Sequence, residues 1–183
     1  MSTPTDGTKT THNIKHWRNI RQGATIKHLA HYLQYAESCE EADVEAYANL
    51  SLEHDNLITA VQHACQHTQT DHLQRFAWAL ARPYGGYLST FGYWTELASL
   101  LTQTIALSEE AGEIEIAAAF RADLATLQLW RGEMAAAQEN CQAALAILKL
   151  AQPLPSIQTA VAALYLQLGT IAQQTAVYPT AHY

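Results

Sequence analysis

Leu124-Ala125-Thr126-Leu127-Gln128-Leu129-Trp130-Arg131-Gly132-Glu133-Met134-Ala135-Ala136-Ala137-Gln138-Glu139-Asn140-Cys141-Gln142-Ala143-Ala144 is the stretch that decides how this chain folds. Within one helical pattern a large residue is followed by a tiny one, Leu124-Ala125. Gly132 comes eight residues after the large member, and Ala137, Cys141 and Ala144 then fall on one face of a second helical pattern. A glycine there can supply the left-handed residue that ends a helix. The arrangement recurs: Tyr84-Gly85 stands 40 residues before and Leu168-Gly169 44 residues after, with Gly92 and Ala176 at the turn and Leu97 and Ala181 five residues beyond it. Two helices approach to about 8 to 10 Å only where one side chain is nearly absent, so Gly85, Ala125 and Gly169 are expected at helix crossings. A fixed period of this kind signals hairpins that bury their faces on one another. An ordinary irregular helix bundle is the competing reading.

Outward from that stretch the helical pattern continues. Ile26, Leu29, Leu33 and Ala36 define a helix from about Thr25, and Leu50, Leu57, Val61 and Ala64 share a narrow arc of a longer one over 43–67. Pairs follow at 71–90 with 94–110, 113–130 with 134–150, and 156–175 with a final piece from 177. Breaks fall at Phe91-Gly92, Ala111-Gly112, Arg131-Gly132 and Gln152-Pro153-Leu154-Pro155. Short connections make successive helices antiparallel neighbours. Pro83 with Gly85 and Gly86 interrupts the first of these pairs.

The chain has 183 residues, a length suited to one domain, and 49% hydrophobic with 15% charged residues excludes wholesale disorder. Eight Gly and five Pro are too few for an all-β chain, so the fold class is all-α. The formal charge of −7 argues against nucleic acid as a partner. Lys9, Lys15, Arg18, Arg21 and Lys27 outweigh Asp6 to give residues 1–31 a balance of +4, which leaves −11 for the rest. Residues 1–12 lack apolar periodicity and read as a tail. The expected division is a basic, mostly flexible leader over 1–24 and a helical repeat domain over 25–183. Three cysteines, Cys39, Cys65 and Cys141, with no apolar leader, fit a reducing cytoplasm, and no stretch reaches the roughly 20 apolar residues of a membrane span.

The large-small pair, the glycine turn and the small residues of the second helix resemble the tetratricopeptide repeat. That resemblance implies an α-α superhelix, a right-handed solenoid of about four antiparallel hairpins, although periods of 40 and 44 exceed the 34 usual for the family. Leu50-Ser51-Leu52-Glu53-His54-Asp55-Asn56-Leu57, continuing through Ala60-Val61 to Ala64, resembles the segment that opens the helical sensor arrays of bacterial STAND-type signalling ATPases. Ile58 stands where that family often has Arg, and His63 where it often has Trp. In that family the repeats recognise a signal or hold a nucleotide-binding switch off. No Gly-Lys pair is present, so the sequence has no phosphate-cradling loop of the switch type. Its last residues, Tyr178 to Tyr183, stop where a second helix should start, which implies a fragment or an uncapped end open to self-association.

Chemistry is searched for with little return. His63 and His67 lie at i, i+4 and His28 and His31 at i, i+3, but His63 and His67 fall beside Asn56 off the apolar arc and read as an exposed flank. Glu40-Glu41 and Glu109-Glu110 read as solvated helix ends. Cys65 and Cys141 read as packed thiols. No catalytic motif is found, no enzyme, cofactor or metal is expected, and the aromatic cluster Trp78, Tyr84, Tyr87, Phe91, Tyr93 and Trp94 is assigned mostly to inter-helix core. The repeat register puts Arg82, Gly86, Ser89, Ala122, Thr126, Leu129, Leu166, Thr170 and Gln173 on a concave face. Such a surface suits a peptide or another protein domain. The expected function is therefore a non-catalytic, signal-sensing interaction module. The alternative is a small-ligand receptor with an aromatic pocket around residues 78–94.

Overall fold

Apolar periodicity and glycine punctuation translate into helices over most of the chain. The computed structural model describes residues 7–39, 44–151 and 155–177, with side chains over 20–39, 45–151 and 157–176. The described residues form α1 (Gly7–Ser38), α2 (Val44–Leu52), α3 (His54–Gln66), α4 (Thr70–Leu80), α5 (Tyr87–Thr90), α6 (Trp94–Glu110), α7 (Ile114–Trp130), α8 (Met134–Leu148) and α9 (Pro155–Val177), with no strand among them. None of these helices is long and apolar enough to cross a membrane. Helices pack on neighbours along the chain: α6 on α7, α7 on α8, α8 on α9, and α9 back on α7, while α1, α3 and α4 pack on one another and α4 on α6.

Three equivalent turns set the spacing of the C-terminal half. Gly92, Gly112 and Gly132 have φ of 76°, 79° and 74°. Each donates its N–H to the carbonyl three residues back, and the next residue donates to the carbonyl five back, at 2.9 Å for Tyr93 and 2.8 Å for Glu113 and Glu133. This is the glycine-terminated helix stop that satisfies the last carbonyls, and it repeats every twenty residues. From each turn the fifth residue, Leu97, Ala117 or Ala137, is completely buried, and so are Thr104 and Ala144 twelve residues on, with Leu124 nearly so.

The large-small register needs correction. Ala125 is buried at a helix crossing as expected. Gly85 is instead an exposed turn residue at φ +83°, because α4 stops at Leu80 and Pro83 cannot extend it. Gly169 is exposed on α9, where an added Cβ would meet nothing within 4 Å, since no described helix crosses it. The expected interruption at Pro83 is present.

The N-terminal half differs in two further places. α1 begins at Gly7, so residues 7–12 continue a helix where a tail is expected; no proline and one internal glycine, Gly23, lie between Thr8 and Ser38, and a nucleated helix propagates cheaply. Residues 1–6, and the final piece from Tyr178 on, lie outside the described residues. The long helix expected over 43–67 is two helices, broken at Glu53. There the backbone closes a tighter bond, Glu53 N–H to the Leu50 carbonyl at 3.1 Å, while the Glu53 carboxylate accepts from Tyr32 Oη of α1 at 2.7 Å and from Asn56 at 2.8 Å. Asn56 and then Tyr32 hold that carboxyl below its ordinary range.

Two adjoining cores share α7. Leu57, Leu73, Phe76, Leu101, Phe120, Leu124 and Leu127 belong to the first, and Ala118, Ala125, Ala137, Cys141, Ala144 and Leu164 to the second. Burial of such side chains contributes about 1.5 to 3 kcal/mol each for Leu and Phe. The predicted arc of Leu50, Leu57, Val61 and Ala64 is buried.

Candidate docking surface

α7 packs on α6, α8 and α9 and meets α4 through Trp78, and one line of it is less deeply buried than the rest. Ala119, Ala122, Asp123 and Trp130 recur at steps that share a helix face, and each is half-buried or exposed, while Thr126 on the same line is buried. The neighbouring helices continue this surface. On the α4 side Trp78 is 41% exposed and Arg75 and Arg82 are exposed; on the α9 side Ala163, Leu166, Thr170 and Gln173 are exposed.

Specific contacts hold the three parts together. The Trp78 ring lies on Phe120 with centroids 4.5 Å apart. Trp130 meets Tyr84 edge-on at 5.1 Å and Trp94 at 6.0 Å, which ties the end of α7 to the turn after α4 and the start of α6. From α9, Gln167 donates to Thr126 Oγ1 at 2.7 Å and accepts from the Cys141 thiol at 3.2 Å. Behind the surface, Arg121 donates to Glu109 at 2.6 and 2.9 Å and to Asn140 at 2.9 Å, and Asn140 donates to Gln128 at 3.0 Å. Gln74 of α4 donates to Ser108 at 2.9 Å and to Glu113. Arg75 reaches back to Glu37 of α1 through two bonds of 2.7 and 2.9 Å.

Asp123 is the anomalous member. No described residue donates it a hydrogen bond, and burial pushes its carboxyl up to about 7 against the opposing pull of the Arg82 guanidinium. At neutral pH the group is therefore divided between its neutral and charged forms.

Of the nine residues expected on a concave face, Arg82, Leu166, Thr170 and Gln173 are exposed and Ala122 and Leu129 half-buried. The other three are taken up internally. A Cβ on Gly86 would lie 2.5 Å from the Arg82 carbonyl oxygen, so this backbone is packed into the turn. The Ser89 hydroxyl, on a residue 9% exposed, donates to the carbonyls of Gly86 and Arg82 at 2.9 and 3.0 Å, and Thr126 donates to the Ala122 carbonyl at 3.1 Å. The irregular turn after α4 displaces Gly86 and Ser89 from the expected register.

The aromatic cluster is also redistributed. Tyr87 is core and accepts or donates one bond to His54 Nδ1 at 3.0 Å, and Tyr93 stacks on His54 at 3.9 Å. Trp78, Tyr84, Phe91 and Trp94 are exposed rather than core. The rings thus diverge, some to α2 and α3 and some to α7. Asp123 and Trp130 are the surface residues that sequence reasoning passed over, and Trp78 is one it assigned to the core. Asp123 adjoins the predicted Ala122, and the same helical line extended by one step would have included it.

The expected solvated helix ends and flanks fare unevenly. Glu109 is paired with Arg121, whereas Glu40 and Glu41 lie outside the described residues. His63 is drawn under α1: its ring lies 6.0 Å from that of His28, and the Nδ1 of each is buried without a hydrogen-bond partner among the described residues. The packing of α1 across that flank overrides the reading of His63 as exposed. Among the described residues no group of three or more His, Cys, Asp or Glu gathers as metal ligands would. Cys141 is buried, and burial pushes its thiol up to about 11. A groove of about 540 Å³ between α1 and the α3–α4 turn, lined by Arg21, Thr25, Ile26, His67 and Gln69 among others, lies apart from the α4–α7–α9 surface. No family model, curated protein or solved structure matches the chain.

Proposed function

We propose that this chain is a non-catalytic interaction module of tetratricopeptide type, the signal-sensing part of a STAND-like regulator or a free-standing relative, and that it docks another protein on the face made by α4, α7 and α9. The observation that carries the reading is the open line Ala119-Ala122-Asp123-Trp130, flanked by Trp78 and by Leu166 and Thr170, on a scaffold whose turns recur every twenty residues. Exposed aromatic side chains beside small ones are what protein-docking surfaces use as anchors and pockets. A pocket formed by the rings of residues 78–94 is disfavoured by their divergence, with Tyr87 consumed by the core.

The test is capture and cross-linking from native extract with the wild-type chain and two variants. Trp78→Ala with Thr170→Arg should lose the captured protein, and Gln142→Arg, at an exposed position of α8, should keep it. Cross-links mapping to α1 or α8 instead would refute the assignment of the face.

A further inference from the structure

We infer that the groove between α1 and the α3–α4 turn is a binding site for a small organic acid, an apolar body that carries one carboxylate and one hydrogen-bond donor. The site lies apart from the α4–α7–α9 face, so neither reading rests on the other. Its volume of about 540 Å³ falls in the range that small-molecule sites occupy. Arg21, Thr25 and Leu29 follow one another at four-residue steps along one line of α1, with Ile26 beside them, and His67 and Gln69 face them from the turn. Within this groove one acceptor is unused. Gln69 Oε1 is buried and no described residue donates to it; Gln69 is the residue from which α4 starts, yet its side chain makes no capping bond. A buried acceptor without a donor is destabilising, and a guest that donates to it removes the penalty.

The second observation is the sign of the local charge. Arg21 and His67 are the ionisable residues of the described lining, neither is acidic, and no described carboxylate pairs with Arg21. Residues 1–31 carry a balance of +4, so the surroundings of α1 have the same sign as the lining. Asp71, the acidic residue in the first turn of α4, is drawn to Arg75 at 3.7 Å. A carboxylate beside a guanidinium makes charge-assisted bonds, and the nearby start of α4 favours negative charge as well. The third observation is apolar: Ile26 is 55% exposed beside the buried Leu29, which leaves hydrocarbon for a guest to cover. A cation would meet Arg21. A purely apolar guest would strip water from the guanidinium and leave Gln69 Oε1 without a donor, and a bare inorganic anion would leave Ile26 uncovered.

The probe is indole-3-acetate, which joins a carboxylate, a ring N–H and an apolar body, titrated calorimetrically into the full chain. Three relatives each change one of these features: indole-3-acetamide lacks the charge, tryptamine reverses it, and 1-naphthaleneacetate lacks the donor. Indole-3-acetate should bind, the amide about tenfold more weakly, the naphthalene acid about fivefold more weakly, and tryptamine not at all. Arg21→Gln should remove the preference for the acid over the amide, and Gln69→Leu the preference for indole over naphthalene. Arg21 is exposed, so its variant should keep the helical circular dichroism and carries the test even where Gln69→Leu perturbs the start of α4. Thr170→Arg, on the docking face, should bind the probe as the wild type does. Equal binding of indole-3-acetate and its amide would overturn the proposal. So would binding that Arg21→Gln leaves unchanged, or no binding of either acid at millimolar concentration.

Discussion

Asp123 is a carboxyl held where a neutral group would sit more favourably. Its value of about 7 lies above the ordinary 3.8, so between those pH values the native state binds more protons than the unfolded chain. This group's penalty is absent below about pH 4, grows as pH rises, and is fully present above pH 7. Asp123→Asn is expected to stabilise the protein at pH 8 by about 1 to 2 kcal/mol, less than full linkage because the carboxyl is partly solvated, and to leave stability at pH 4 unchanged. Urea unfolding at the two pH values measures it. Nothing in the sequence marks this residue among 17 acidic ones. The charge that acts on it comes from Arg82, some forty positions earlier, which only the fold brings close.

At the scale of elements, the seam between α1 and α3 carries a pH response. His28 is held below its ordinary value first by burial and then by the neighbouring His63 and His31, so the unfolded chain takes up protons more readily as pH falls through about 6.5. The seam therefore weakens toward acid and is unaffected above neutrality. Of the other charged groups joining α1 to its neighbours, Glu37 forms an exposed pair with Arg75 that is worth little, and Glu53, bound by Tyr32 and held below its ordinary value, keeps its charge over this range. Lowering pH from 7.5 to 5.5 should speed amide exchange in the described middle of α1 several-fold, and His28→Leu should flatten that dependence. A second element-scale test concerns α8: Ala144, fully buried in the core shared with α7 and α9, should tolerate no enlargement, and Ala144→Leu is expected to cost about 1 to 3 kcal/mol in thermal unfolding. Helix positions were legible wherever glycine or proline punctuates the chain, as at Gly92, Gly112, Gly132 and Pro83. The break at Glu53 was not, because no local breaker causes it; a tyrosine 21 residues away binds the carboxylate. Gly85 and Gly169 misled for the converse reason, since smallness signals a helix crossing only where a second helix is present to cross.

Across the whole molecule, stability is distributed unevenly about α7. Among the described residues of α9 only Leu164 and Ile171 are buried, whereas α6 and α7 each bury six or more. Native-state hydrogen exchange should therefore show α9 opening first, with a weaker dependence on denaturant than amides of α6 and α7; one cooperative transition for all three would contradict this. The all-helical class was legible because helix periodicity and glycine or proline punctuation are local in sequence. The open surface was legible only in part, since its register passes through the irregular turn at residues 81–86. The spacing of Gly92, Gly112 and Gly132 also makes the scaffold one of parity. Each of these twenty-residue segments carries one helix and one glycine stop, so a single segment inserted after Gly132 would reverse the direction in which what is now α9 runs, and two would restore it.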